Sequence, residues 1–322
     1  MNKEIKLYSE NLKLEIEYPL RALFLSDMHC GSTHSIQPSK FKMRDGGIRE
    51  ANELQEEILN HWNKIINIAN EYRIQYIFCL GDLFHGLNPI GKGEGITCHM
   101  EDQIRMAAKL LSDFGNKVIF YILSGTRYHE IPAGMGEPHN HLASILSSKY
   151  DIKAYFIGSS TYVRLENLPK ENRLFLAHEA SSSINPAGIL GRDISWALES
   201  AAIHKSLPIN AIIRAHKHSF VHLYQSGIHA IQLPCWIAWD SFKGSDKNFF
   251  KWQPDFGAVM MLVDKYGDLR FQEYLIEGED RRKITELSVK EVRTSKDIHL
   301  SEVHPRTRAV QGGMEYLSKM WR

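Results

Sequence analysis

The chain has 322 residues, 43% of them hydrophobic, and a net charge of +1 with histidine neutral. That is enough apolar material for one large core or two small ones, and the near-neutral balance excludes a global basic field of the kind that coats nucleic acid. No apolar run approaches the roughly 18 residues that cross a bilayer, Met1-Asn2-Lys3-Glu4 lacks a signal-peptide pattern, and Cys30, Cys79, Cys98 and Cys235 form no CxxC pair. These features predict a reduced, cytoplasmic protein with no membrane partner.

In chain order, Leu12, Leu14 and Ile16 alternate with Lys13, Glu15 and Glu17, the period of a half-buried strand. It is read as an edge strand or half of a hairpin before the first core strand, residues 21–26. A polar loop containing Pro38 and Gly46-Gly47 follows, then a helix from about Arg49 to Tyr72. Its apolar positions Leu54, Ile58, Trp62, Ile65, Ile66 and Ala69 keep helical spacing. The run Tyr76-Ile77-Phe78-Cys79-Leu80 reads as a buried strand, and a second helix from about Met100 to Phe114 leads to a strand over 118–123. Strand and helix alternating in this way predict βαβ units.

Beyond a loop rich in glycine and proline, a short helix is expected over 140–149, strands over 152–166 and 172–177, loop to Gly191, and a helix over 194–205. From His218 the pattern turns to strands, about 219–225, 228–233, 257–264 and 269–276. A β-rich half after an αβ half predicts an α/β (α+β) fold, two mixed sheets packed together with helices outside. Residues 1–278 read as one domain and 279–322 as a polar extension, with Arg281-Arg282-Lys283 a solvated face and Met314 to Trp321 a docking helix.

Five of the expected strands end in the same chemistry. They run into Asp27-Met28-His29, Gly81-Asp82-Leu83-Phe84-His85, Gly125-Thr126 with His129 beyond, His178, and His216-Lys217-His218. Open α/β sheets place ligands at the C-terminal ends of strands. Imidazole and carboxylate are the donors that divalent first-row cations take, and a carboxylate can bridge two ions, with Asp82 the natural candidate. Of the sixteen histidines, His99, His139, His141, His204, His222 and His229 are read as surface or packing residues. Trp236 and Trp239 are read as core or pocket wall rather than a base-stacking platform.

In this order the motifs resemble those of the calcineurin-like metallophosphoesterase superfamily, DxH, GDxx(D/H), GNH(D/E), a lone His and GHxH, over roughly residues 20–276. The resemblance implies a four-layer αββα sandwich and two divalent ions, manganese first, with iron, zinc, nickel or magnesium as alternatives. It implies Asp27, His29, Asp82 and His218 around one ion, and Asp82, His178 and His216 around the other. Where the family has Asn, this chain has Thr126, a weaker ligand. Where the family has the His that protonates the leaving oxygen, it has Arg127, a candidate phosphate contact, and that role falls to His129. A phage and prophage branch is similar in the Gly-Thr-x-x-His turn, in the helix carrying Gln55 and Trp62, and in Leu233-Pro234-Cys235-Trp236. Gly-Asp-Leu-Phe-His also resembles the motif of the double-strand-break repair nuclease, where the extra His, here His85, assists phosphodiester cleavage.

The resemblance therefore implies an enzyme whose substrate is a phosphate ester, with a phosphodiesterase or nuclease acting on DNA or RNA ahead of the alternatives. Those are a phosphomonoesterase, a cyclic- or dinucleotide phosphodiesterase, and a metal-binding protein that lost catalysis. Pairing into a homodimer is a further expectation.

Overall fold

The structure is a computed structural model that describes residues 12–14, 19–87, 94–97, 99–130, 138–166, 170–178, 185–204, 208–238 and 254–276. The expected boundary at 278, the extension 279–322, Ser181 to Ser183, Trp239 and the loop 131–137 lie outside these residues.

Two six-stranded mixed sheets lie face to face. One contains β2 (Leu20–Leu25), β5 (Tyr76–Leu80), β6 (Ile119–Leu123), β7 (Ala154–Phe156), β13 (Phe256–Val263) and β14 (Leu269–Ile276), in the order β14-β13-β2-β5-β6-β7. The other contains β1 (Leu12–Leu14), β8 (Ser160–Leu165), β9 (Asn172–Ala177), β10 (Ala211–Arg214), β11 (Val221–Gln225) and β12 (Ile228–Gln232), in the order β1-β8-β9-β10-β12-β11. Alternate side chains from the two sheets form one apolar layer, with Phe24, Phe78 and Leu123 on one side and Val163, Leu176 and Ile213 on the other. The outer face of the first sheet is covered by α1 (Glu53–Glu71), α2 (Met100–Ser112) and α4 (Pro138–Tyr150), through Trp62, Ile104 and Leu142 among others. Leu190 and Ile194 of α5 (Pro186–His204) cover the second sheet at Ile212 and Ala230. The layers are therefore α, β, β, α, as expected.

Each sheet draws strands from both halves of the chain, and three expectations are corrected. β13 pairs antiparallel with β2 in the first sheet, whereas β1 is an edge strand parallel to β8 in the second. The segment 152–166 is two strands in different sheets, because Gly158 at φ 91° turns the chain between them. Residues expected to be loop or helix start form a hairpin of β3 (Lys40–Lys42) and β4 (Ile48–Glu50), and α1 begins only after Asn52. Asn52 and Gln55 form a reciprocal capping box, which ends the extended chain and satisfies two otherwise unpaired amide groups. Finally, α5 starts at Pro186 rather than 194. Asn185 accepts from the Gly188 amide at 3.3 Å, and proline suits the first helical position.

Candidate metal centre

β2, β5 and β6 are parallel neighbours whose ends coincide, with Leu25 opposite Cys79 and Leu80 opposite Leu123. The chain leaving β2 stays paired with the chain leaving β5. The amide of Asp27 donates to the carbonyl of Gly81 at 3.1 Å and that of His29 to Asp82 at 2.9 Å. β9 and β10 are parallel in the other sheet, and the Ala215 amide donates to the His178 carbonyl at 3.1 Å. All five expected strand ends thus meet along one edge of the sandwich.

Two donor sets result. In the first, His218 Nε2 lies 3.1 Å and His29 Nε2 3.7 Å from Asp27 Oδ1. The two ring nitrogens of His29 and His218 are 3.4 Å apart. In the second, His178 Nε2 lies 2.9 Å and His216 Nδ1 3.8 Å from Asp82 Oδ2. The sets adjoin, since His178 Nε2 is also 3.9 Å from Asp27 Oδ1. Asp27, His29, Asp82 and His178 are buried, and His216 and His218 are partly exposed. The side chains are aimed from behind: His178 Nδ1 donates to the Leu80 carbonyl at 2.6 Å, and Asp27 Oδ2 accepts from the His216 amide at 3.1 Å.

The electrostatics fit a cation. Burial opposes ionisation of Asp27 and Asp82, yet the imidazoles around them, His178 first, hold both carboxyls well below the usual carboxylate range. Burial also opposes a charge on His178, but Asp82 and Asp27 push it up to about 10. Burial pushes His29 down to about 3. Two buried anions thus lie among imidazoles, a donor set whose charge a divalent ion would offset. His216 Nδ1 is buried with no hydrogen-bond partner, a donor atom suited to that ion.

Thr126 is brought to the same place. Its amide donates to Asp82 Oδ1 at 2.7 Å, and its hydroxyl lies 3.0 Å from Oδ1 and 3.1 Å from Oδ2. What this geometry shows for Thr126 is a hold on the carboxylate. His85 and His129 gather against His29, and the three rings offer nitrogens within 4.8 Å of one another. The ring of His129 is 4.6 Å from that of His29, edge-on. His129 Nδ1 lies 2.7 Å from the His85 carbonyl, which can only accept, so Nδ1 carries the hydrogen. Arg127 is exposed in the short helix α3 (Arg127–Glu130). Trp236 is fully buried and packs edge-on against Trp62 at 4.8 Å, so it belongs to the core; its amide donates to the Asp27 carbonyl at 2.9 Å.

Two glutamines hold the loops behind the site: Gln55, singled out in the sequence only through the resemblance, and Gln103, which sequence reasoning left out. Gln55 Nε2 donates to the carbonyls of Ser32 at 2.9 Å and Ser35 at 3.2 Å. Gln103 accepts from the Gly86 amide at 2.8 Å and donates to the Gly86 carbonyl at 3.1 Å. Both are fully buried. The signal for Gln103 was available: it is a polar residue inside the stripe of Met100, Ile104, Ala107 and Leu111.

No family model matches the chain, and no curated protein matches it. Solved structures do. An archaeal phosphodiesterase aligns at 12% identity and TM-score 0.39, covering 79% of this chain and 100% of that one. Vps29 from Entamoeba histolytica complexed with Zn2+ aligns at 10% identity and TM-score 0.38, covering 80% and 99%. A predicted phosphoesterase from Streptococcus pneumoniae aligns at 9% identity and TM-score 0.32, covering 81% and 100%. In the order of its site motifs and in its αββα layers, the chain is similar to the calcineurin-like metallophosphoesterases.

Proposed function

We propose that the chain is a metal-dependent phosphoesterase that hydrolyses phosphodiesters, with a nuclease acting on DNA or RNA as the narrower reading. The observation that carries this is the adjoining pair of donor sets, Asp27-His29-His218 and Asp82-His178-His216, each with one buried carboxylate. Two divalent cations held there, manganese first among the candidates, would lower the pKa of a water and offset charge on the phosphoryl oxygens. Thr126 fixes the orientation of Asp82 while Oδ2 faces His178 and His216, and the two sets come together where His178 Nε2 lies 3.9 Å from Asp27 Oδ1. His129, its Nδ1 hydrogen committed to the His85 carbonyl, would in its doubly protonated form give the Nε2 proton to the leaving oxygen. Arg127, exposed two residues before it, would meet a substrate phosphate, which a planar guanidinium binds in a bidentate manner.

The test compares bis(p-nitrophenyl) phosphate with p-nitrophenyl phosphate, with Mn2+ or EDTA, in wild type and Asp82→Asn. Faster turnover of the diester is expected, abolished by chelation and reduced in Asp82→Asn by more than the roughly 10–100-fold that loss of an outer-sphere partner costs. Activity unchanged in Asp82→Asn would sink the mechanism. The net charge of +1 favours a second reading, a small phosphate ester rather than a long polymer. Binding of a polymer would fall steeply with added salt, and binding of a small ester much less.

A further inference from the structure

We propose that Gln103 is a positioning residue for His129, acting through the peptide bond between His85 and Gly86. This rests on the phosphodiesterase reading above. One peptide unit carries both contacts. Its carbonyl, from His85, accepts from His129 Nδ1 at 2.7 Å, and its amide, from Gly86, donates to Gln103 Oε1 at 2.8 Å. The plane of that peptide is therefore set by Gln103, and the direction of its carbonyl sets the ring of His129. The second contact, from Gln103 Nε2 to the Gly86 carbonyl at 3.1 Å, locks the glutamine against rotation. Hydrogen bonds in series polarise one another, so the amide held by Gln103 makes the His85 carbonyl a better acceptor.

The surroundings leave little room for another arrangement. A Cβ on Gly86 would meet the His129 carbonyl oxygen at 2.4 Å, and one on Gly31 would meet Gln103 Cγ at 2.6 Å. The loop after His85 is pressed against the short helix bearing His129, and the loop after His29 against the glutamine. The His85 amide in turn donates to the Cys30 carbonyl at 3.0 Å, which ties the relay to the chain leaving β2.

In the reaction, a water oxygen forms a bond to phosphorus as the bond from phosphorus to the leaving oxygen breaks. The bonding pair goes to the leaving oxygen, which takes a proton from His129 Nε2. The proton lost by the water passes to solvent, and His129 regains one from solvent. Gln103 touches none of the reacting atoms. It keeps the Nδ1 hydrogen of a doubly protonated His129 on the His85 carbonyl, so that the other proton, on Nε2, is the one transferred, and His129 is left neutral with Nδ1 still protonated.

Loss of that hold would be felt most where the leaving group needs a proton. The experiment measures kcat with Mn2+ on diphenyl phosphate, a poor leaving group, and on bis(p-nitrophenyl) phosphate, a good one, in wild type, Gln103→Leu, Gln103→Glu and His129→Gln. The ratio of the two rates is expected to fall about tenfold in Gln103→Leu, a fraction of what a general acid supplies. Gln103→Glu, its carboxyl kept protonated by burial, retains both an acceptor for the Gly86 amide and a donor to the Gly86 carbonyl and is expected to keep the wild-type ratio, which makes it the informative variant if Gln103→Leu does not fold. Adding Gln103→Leu to His129→Gln should lower the ratio no further. An equal fall on both substrates, a ratio in Gln103→Glu unlike that of wild type, or additive losses in the double variant would overturn the proposal. Absence of Mn2+-dependent turnover of either diester by wild type would instead overturn the phosphodiesterase reading itself.

Discussion

Asp27, His29, Asp82, His216 and His218 all adopt left-handed backbone, with φ of 51°, 45°, 47°, 76° and 55°. A side chain at such φ costs on the order of 1 kcal/mol or more, and such residues cluster where the surrounding structure enforces them for function. Here the enforcement is visible in the amide bonds that tie the β2 exit to the β5 exit. Gly81, at φ 73°, allows a close approach of backbone, because a Cβ there would lie 2.4 Å from Gly125 Cα and 2.8 Å from His178 Cγ. Gly81→Ala should therefore cost about 2–4 kcal/mol and weaken Mn2+ binding, read from denaturant unfolding and from metal titration. Away from the site, His222 Nε2 and His229 Nδ1 are 3.0 Å apart beside Phe271. Burial, with His222 and Lys170 adding to it, pushes His229 down to about 4. A depressed histidine binds its proton in the unfolded chain before the folded one, so its contribution to stability is present above about pH 6.5 and is lost as pH falls toward 4. The melting temperature should drop across that window less steeply in His229→Gln than in wild type.

At the scale of elements, α1 links the core to the site. Trp62 is fully buried, edge-on to Phe114 at 5.3 Å and to Trp236 at 4.8 Å, and the amide of Trp236 holds the Asp27 carbonyl. Trp62→Ala should cost about 3–5 kcal/mol and loosen the Asp27 loop, so the affinity for Mn2+ should fall along with the urea midpoint. A midpoint that fell with unchanged affinity would show that the loop is held independently of α1. The helices and the site strands were legible in the sequence because each is long, apolar and periodic, and because Asp or His follows where the run stops. The hairpin of β3 and β4 was not. Its strands are three residues each, Ile48, Arg49 and Glu50 are all exposed, and Phe41 alone is buried, too few positions to establish a period of two.

At the scale of the molecule, the site lies where two sheets meet, so metal binding and folding should be coupled. None of the described helices is long and apolar enough to cross a membrane. Two buried carboxylates face four imidazoles across distances of 2.9 to 3.9 Å. A ligand that binds only the folded state stabilises it by about 2.7 kcal/mol at a hundred times its Kd. The melting temperature should therefore rise with Mn2+ and fall with EDTA in wild type, with a much smaller difference in Asp82→Asn, as calorimetry would show. An equal response in both would mean that Asp82 is not a ligand.

The sequence alone determined which residues could do chemistry and that they sit at strand ends, since apolar runs that stop at Asp or His are local patterns. It also carried the layered fold, through strands and helices in alternation. Pairing was decided only by tertiary structure. β13 returning to β2, β1 crossing to β8, and Gln103 reaching the peptide before Gly86 are contacts between residues far apart in the chain. No local period encodes such contacts, because they are selected by the fit of whole faces and by the need of each buried polar group for a partner.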